Sequence, residues 1–327
     1  MREPAFLRQN KDKWLEYEHM LFDRKGQQID PDRLAALYIQ LTDDLAYART
    51  FYPKSQVVRY LNGLAARTHL AIYKNKKEKS NRLRTFWTQE LPLIYYESRR
   101  YMLYAMLVFS FSFLIGMLGA LQDETFVRVI LGDRYVDMTL DNIDRGDPLG
   151  VYKGSPPFTM FLEIAFNNIR VAFNAFALGI LVSVGTLYMV FYNGVMVGAF
   201  ITFFHTQNLL WEAVPIIYIH GTLELSAIVI AGGAGFMLGN SILFPGTHTR
   251  LESLQYAARQ GIKILVGLVP VFVLAAFLES YITRLTDMPL LLKLTIIFLS
   301  LLFVVWYYWL YPITVFRRMS NAALPAV

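Results

Sequence analysis

Two ionisable residues interrupt an apolar stretch of the sequence, at a spacing that places them on one face of a helix. His220 and Glu224 lie near the start of the segment 215–239, whose other residues are mostly apolar or small. Residues four positions apart are neighbours on a helix surface. A histidine beside a carboxyl group can bind a proton or a cation, or it can simply fix the register of two packed helices. The sequence leaves both roles open.

This pair alone does not predict a metal site, because it offers two ligands and a zinc site needs at least three from the protein. His205 is not on the same helical run, and the chain has no cysteine. The motifs His-Glu-x-x-His and Gly-x-Ser-x-Gly are absent from the sequence. We therefore expect no catalytic residue, no metal and no cofactor, and we do not expect an enzyme.

The same helix face continues into a stripe of small residues at every fourth position. Ala231, Gly235 and Gly239 follow Glu224 at the spacing of one helix face. In lipid, small residues at this spacing let a neighbouring helix approach closely. We predict a packing seam here, against a helix of the same chain or of a second copy.

Further polar residues lie in the otherwise apolar segment 163–174. Three of them share one helix face. The simplest interpretation is hydrogen bonding between helices, and the functional alternative is a substrate path along a broken helix. We expect this segment to pack near His220 and Glu224, since lipid excludes both groups. The residues concerned are Asn167, Asn168, Arg170 and Asn174.

The composition predicts a membrane protein with a separate basic region. Of the 327 residues, 55% are hydrophobic and only 17% are charged, which is too apolar for a soluble protein of this length. The first 100 residues hold 19 Lys and Arg against 12 Asp and Glu, whereas the remainder holds 12 against 13. No recognised nucleic-acid motif accompanies the basic excess, so we expect no nucleic-acid partner and assign the charge to the cytoplasmic face of a membrane.

The fold predicted is an all-α polytopic membrane helical bundle of about six spans with an N-terminal cytoplasmic helical domain. Residues 1–98 form that basic domain, ending in an interfacial helix, and residues 99–327 form the transmembrane domain. The loop 122–157 holds seven Asp and Glu against four Lys and Arg, so we expect it outside, with both termini cytoplasmic in an inner membrane. The expected spans are 101–121, 175–192, 195–211, 215–239, 264–281 and 290–311.

The segment between residues 157 and 250 allows more than one number of membrane crossings. Asn193-Gly194 is a turn signal that would end the span 175–192. The segment 163–174 would then be interfacial or re-entrant. A return from outside to inside needs an odd number of crossings, and we favour three over one, although 195–211 is short enough to be re-entrant.

Three groups of residues resemble the stage II sporulation protein M family of integral membrane proteins. The resemblance extends over nearly the whole chain. It implies a multi-pass inner-membrane protein with protein partners and no established enzyme activity. The founding member acts with partner membrane proteins and a cell-wall hydrolase. The groups are Asn167-Asn168 with Gly185-Thr186 and Asn193-Gly194; His220-Gly221-x-x-Glu224 with its glycine-rich continuation to Gly239; and Asp44-Leu45-Ala46 with Tyr52-Pro53 and Leu61-Asn62.

These observations support two functional hypotheses. The first is a scaffold or assembly factor of a cell-envelope complex, which would bind membrane or cytoplasmic protein partners. The alternative is a transporter or channel-like permease that uses His220 and Glu224 within the membrane. A homo-oligomer is compatible with both.

Overall fold

The computed structural model describes residues 2–22, 31–73, 82–285 and 288–323, and within them it contains helices and no β-strand. The chain divides into two compact units, Met1–Arg82 and Leu83–Val327. The predicted all-α fold class is confirmed for the described residues. The predicted domain boundary at residue 98 differs from the division between these units.

The first unit is a bundle of three helices around its own apolar core. The helices are α1 (Glu3–Phe22), α2 (Pro31–Phe51) and α3 (Gln56–Tyr73). Trp14 of α1 is buried, and its indole Nε1 donates a hydrogen bond to Asp44 Oδ2 of α2 at 2.9 Å. Leu41, Leu61 and Leu64 complete the core, which follows the apolar periodicity of the sequence.

The second unit contains the long apolar helices. Five of the described helices are long and apolar enough to cross a membrane, namely Arg82–Gln122, Val184–Thr206, Leu210–Leu243, Arg250–Ile282 and Leu290–Asn321. The helices of this unit are α4 (Arg82–Gln122), α5 (Glu124–Leu131), α6 (Asp133–Asp144), α7 (Pro157–Ala177), α8 (Val184–Thr206), α9 (Leu210–Leu243), α10 (Arg250–Ile282) and α11 (Leu290–Asn321).

The first apolar helix is longer than the sequence pattern predicts. We expected an interfacial helix followed by a span at 101–121, whereas α4 is continuous over 41 residues and includes a π-helical turn at Phe86–Glu90. Its start packs within the second unit: the backbone oxygen of Trp87 accepts a hydrogen bond from Tyr307 Oη at 2.9 Å. These contacts explain why residues 83–98 belong to the second unit.

The long helices run between two ends of the second unit. The acidic end comprises residues 122–157 and the connections that follow α8 and α10. Arg284, after α10, donates hydrogen bonds to the backbone oxygens of Lys153 at 3.2 Å and Ser155 at 2.9 Å. The basic end comprises the start of α4 and the connection 244–249 between α9 and α10.

The acidic end has a small core of its own, formed by α5 and α6 and the chain that follows them. Val127 and Val136 are buried together with Phe204 of α8. Asp123 caps α5 by accepting hydrogen bonds from the hydroxyl and backbone N–H of Thr125, which lower the pKa of its carboxyl group. The predicted short helix near 125–131 is therefore present, and α6 follows it.

Helix α7 starts at the acidic end and stops before it reaches the basic end. Near its start, the ring of Phe161 lies 6.4 Å from that of Tyr281 at the acidic end. Near its end, Phe176 packs against Gly261, one third of the way along α10 from the basic end. The segment 163–174 is thus part of one regular helix, and the expectation of a re-entrant segment is wrong.

Helices α7, α8 and α9 follow one another from residue 157 to 243 and alternate in direction. Of the three, α8 and α9 are long and apolar enough to cross a membrane, so the expected three crossings stay a prediction. The expected boundaries are wrong. Instead of spans at 175–192 and 195–211, one helix covers 184–206. The reversal lies at 178–183, where Val182 and Ser183 adopt positive φ angles of 55° and 68°.

Asn193 and Gly194 lie in the middle of α8, so the turn predicted there is wrong. The side chain of Asn193 donates a hydrogen bond to Met189 O of its own helix at 2.8 Å. Gly194 instead allows close packing, because a Cβ atom there would lie 2.7 Å from Phe109 O of α4. Gly198 meets α4 in the same way, at Phe113 O, so the pair forms a small-residue contact between parallel helices.

The predicted small-residue seam on α9 packs against the reversal at 178–183. A Cβ atom at Gly235 would overlap Thr186 Oγ1 and Ala175 O, and one at Gly239 would overlap Ser183. Thr186 Oγ1 donates to Ala175 O at 2.7 Å, which satisfies a carbonyl left free where α7 ends. The two glycines of α9 thus make room for the reversal between α7 and α8.

Gly235→Ala should destabilise the protein, whereas Gly221→Ala on the same helix should not. The added methyl at Gly235 has no space between Thr186 and Ala175, and overpacking of this kind costs about 1–3 kcal/mol. At Gly221 the nearest atom from outside its own backbone is Ile217 Cγ2 at 3.9 Å. Thermal unfolding of the purified proteins measures the difference. Equal melting temperatures for the two variants would contradict close packing at Gly235.

Candidate functional site: an intramembrane His–Glu–Glu cluster

The ionisable residues of α9 lie beside a second carboxyl group, which α10 contributes. One ligand atom from each of His220, Glu224 and Glu279 lies within 4.8 Å of the others. His220 is only 5% exposed, and the side chain of Glu279 is 16% exposed. Two helices packed along their length therefore hold one imidazole and two carboxyl groups inside the second unit.

Glu279 reaches the cluster from a π-helical turn at the end of α10. This turn covers Leu278–Ile282, and the backbone nitrogen of Thr283 donates to Leu278 O, five residues earlier, at 2.8 Å. Turns of this kind inside α-helices are rare and frequently occur at functional sites. The turn shifts the register of the last residues and also brings Thr283 against His220.

The hydrogen bonds of Thr283 determine which nitrogen of His220 carries the proton. Thr283 Oγ1 lies 3.1 Å from His220 Nδ1 and donates to Leu278 O at 3.1 Å. A threonine hydroxyl has a single proton. Because that proton is used on the carbonyl, Nδ1 must donate to Oγ1. The neutral imidazole then has its lone pair on Nε2, the atom 3.8 Å from Glu279 Oε1.

Of the four polar residues predicted on α7, Asn168 is the one that reaches the cluster. It is 5% exposed, and its amide lies beside the Glu224 carboxyl group. Its Nδ2 atom is buried without a hydrogen bond of normal geometry. The expected proximity of this segment to Glu224 thus comes from a single residue.

The other polar residues of α7 lie on its opposite face. Asn167, Arg170 and Asn174 are exposed, as is Glu163 on the same side of the helix. Arg170 donates a long hydrogen bond of 3.4 Å to Asn167 Oδ1. The sequence correctly groups these residues on one face, but that face points away from His220 and Glu224.

Sequence reasoning missed Glu279 and Thr283. The sequence analysis interprets the apolar run at 264–281 as a plain span, although Glu279 lies in its last turn. Glu279 and Thr283 also repeat the four-residue spacing of His220 and Glu224. Those two signals were visible, but the π-helical turn that orients them was not, because it depends on packing against α9.

A cavity at the acidic end lies one helical turn from the cluster. Its volume is about 430 Å³, and Pro215 and Ile216 of α9 form part of its wall. Asp147, Glu212 and Lys293 also line it, so charged groups of both signs face the cavity.

Long apolar helices packed around buried polar residues define this chain as a polytopic helical membrane protein. The Stage II sporulation protein M family matches residues 105–284, more than half of the chain, and the chain belongs to that family. Residues 4–74 match a different family, a domain of unknown function (DUF8413). The resemblance at residues 44–62 is therefore outside the first match. Comparison with the curated proteins and with the solved structures gave no match.

Proposed function

We propose that this protein is a membrane scaffold or assembly factor of a cell-envelope complex, and that α7 docks a helix of its partner. The polar stripe on the exposed face of α7 carries the proposal. The stripe consists of Glu163, Asn167, Arg170 and Asn174, all exposed in the second unit.

The position of the stripe along α7 is incompatible with lipid. The 21 residues of the helix make it about 31 Å long, close to the thickness of a bilayer core, yet it is not among the helices apolar enough to cross a membrane. Asn167 lies at its middle and Arg170 one turn further. An arginine at the centre of a bilayer costs about 2.5–3.5 kcal/mol on insertion scales, so it requires polar partners or water.

The polar stripe of α7 differs from the exposed faces of α4 and α11, which carry apolar side chains suited to lipid. On α4, Leu107 and Phe111 are 58% and 64% exposed, and on α11, Phe298 is 63% exposed. Only apolar groups meet the bilayer at these positions. A polar face on α7 is therefore best satisfied by a membrane helix that carries complementary amide or charged side chains.

The family membership supports the same role. The founding member of the Stage II sporulation protein M family is expected to work with other membrane proteins, and this chain adds a separately packed helical unit of its own. The first unit offers an open groove of about 660 Å³ between α1 and α3, lined by Trp14 and Leu15 among others. An assembly factor needs such surfaces more than it needs catalytic groups.

A photoreactive probe on the stripe should crosslink to a membrane protein in native membranes. The natural chain has no cysteine, so a benzophenone maleimide can be attached at Asn167→Cys alone. We expect one discrete adduct, whose partner peptide maps by mass spectrometry to a membrane-spanning helix. A second copy of this chain would identify the scaffold as a homo-oligomer.

The matched control is Phe298→Cys, which is also exposed in the membrane unit but lies on an apolar face. It should give lipid adducts without the discrete protein adduct. If the two positions give the same pattern, or if Asn167→Cys labels lipid alone, the stripe does not dock a partner helix.

We further propose that the basic end faces the cytoplasm, in an inner membrane. The first 100 residues carry most of the basic excess, and cytoplasmic segments next to spans are enriched in Lys and Arg. An impermeant maleimide should label Asp141→Cys in intact cells, and Leu251→Cys only after permeabilisation. Labelling in the reverse order would overturn this orientation.

A second candidate function is cation-linked permeation, favoured by the buried cluster and the cavity beside it. In reconstituted vesicles, the wild type should then conduct protons or a metal cation, and Glu224→Gln should abolish the flux. Glu97→Gln, an exposed change on α4, should leave the flux intact. Wild-type vesicles that behave like empty ones across a panel of ions would exclude this function.

A further inference from the structure

We propose that His220, Glu224 and Glu279 bind one divalent transition-metal ion. The ligand atoms are His220 Nε2 and one carboxylate oxygen from each glutamate, which lie within 4.8 Å of one another. Two carboxylates and one imidazole form a ligand set suited to Zn²⁺ or Mn²⁺. The sequence predicted no metal because it revealed only two of these three ligands.

The orientation of the imidazole is the first argument. Nδ1 donates to Thr283 Oγ1, so the lone pair of the neutral ring is on Nε2. Histidines that bind metals almost always donate their other ring N–H to an oxygen atom, which fixes the tautomer. Thr283 supplies that oxygen here. His220 is thus held in the form that a metal requires, with Nε2 near Glu279.

The spacing of the ligand atoms is the second argument. His220 Nε2 and Glu279 Oε1 are 3.8 Å apart, which is too long for a hydrogen bond. Two ligands of one tetrahedral zinc ion, each at about 2.0–2.1 Å, are roughly 3.3 Å apart. The three ligand atoms lie within 4.8 Å of one another, so the cluster would have to contract to reach this distance.

The balance of charge is the third argument. Two buried carboxyl groups so close together would repel each other if both were ionised, because the surrounding helices shield them from water. A divalent cation would neutralise both charges at once. The imidazole ligand disfavours Mg²⁺ and Ca²⁺, which prefer oxygen ligands alone.

Asn168 provides an independent indication that a ligand belongs in this space. Its side chain is buried beside Glu224, and Nδ2 makes no hydrogen bond of normal geometry. Its Oδ1 accepts a hydrogen bond from Asn167 Nδ2 at 3.4 Å, so Nδ2 is the end of the amide beside the Glu224 carboxyl group. Nδ2 would then donate to a water molecule bound to the metal.

Metal binding by the purified full-length chain tests the proposal, independently of the scaffold role. In detergent, the metal-free wild type should bind one Zn²⁺ or Mn²⁺ per chain and should melt at a higher temperature when loaded. Co²⁺ should give the visible absorption bands of a nitrogen- and oxygen-ligated ion. Mg²⁺ at the same concentration should cause neither effect.

Variants locate the site. Glu279→Gln and Glu224→Gln should each weaken Zn²⁺ binding at least tenfold, while Glu97→Gln, an exposed change on α4, should bind like the wild type. Thr283→Val removes the acceptor for Nδ1 and should weaken binding by about 10–100-fold with unchanged stoichiometry. It should also alter the Co²⁺ spectrum, which a purely structural change elsewhere would leave intact.

A measurement on the wild type covers the case in which a glutamine variant fails to fold. Dicyclohexylcarbodiimide modifies carboxyl groups buried in membrane proteins, and Zn²⁺ should protect Glu224 and Glu279 from it, as mapped by mass spectrometry. The proposal is overturned if the wild type binds none of Zn²⁺, Mn²⁺ and Co²⁺. It is equally overturned if Zn²⁺ gives no protection, or if folded Glu279→Gln and Glu224→Gln bind as tightly as Glu97→Gln.

Discussion

The cost of placing charge inside a membrane constrains this structure more than any other interaction. His220, Glu224 and Glu279 are held between α9 and α10, where neither bulk water nor lipid can solvate them well. Because the three groups lie together, the bundle needs polar neighbours at one place instead of three. Thr283 and Asn168 then supply hydrogen-bonding groups from two further directions, so the cluster is fixed by elements that are distant in sequence.

Such a cluster requires close helix packing, and glycine provides it. Gly235 and Gly239 admit the reversal at 178–183 against α9, and Gly194 and Gly198 bring α8 against α4. In lipid no hydrophobic force drives helices together, so van der Waals contact between backbones has to do so. The reversal is in turn what places α7 beside α9, with Asn168 next to Glu224. The glycine contacts at the reversal therefore determine the position of Asn168 beside the Glu224 carboxyl group.

Those relations explain what the sequence could predict. Apolar runs and the overall composition were enough for the fold class. The four-residue spacing identified His220, Glu224 and the small-residue seam. Asn193-Gly194 misled because glycine serves both turns and close helix contacts, and only the facing backbone of α4 distinguishes them. Glu279 was missed because its orientation depends on a π-helical turn, which no residue pattern predicts.

Helix α7 has polar groups on two opposite faces. On both faces these side chains need polar neighbours inside a membrane, but the neighbours come from different sources. Asn168 points inward, where the chain itself supplies the polar neighbours. Asn167 and Arg170 point outward, where within the described residues Arg170 donates to Asn167 Oδ1 and Asn167 donates to Asn168 Oδ1, both at 3.4 Å. Under the proposed docking, a partner helix supplies the remaining polar neighbours of this outer face. Helix α7 would then contact the Glu224 carboxyl group on one side and the partner helix on the other.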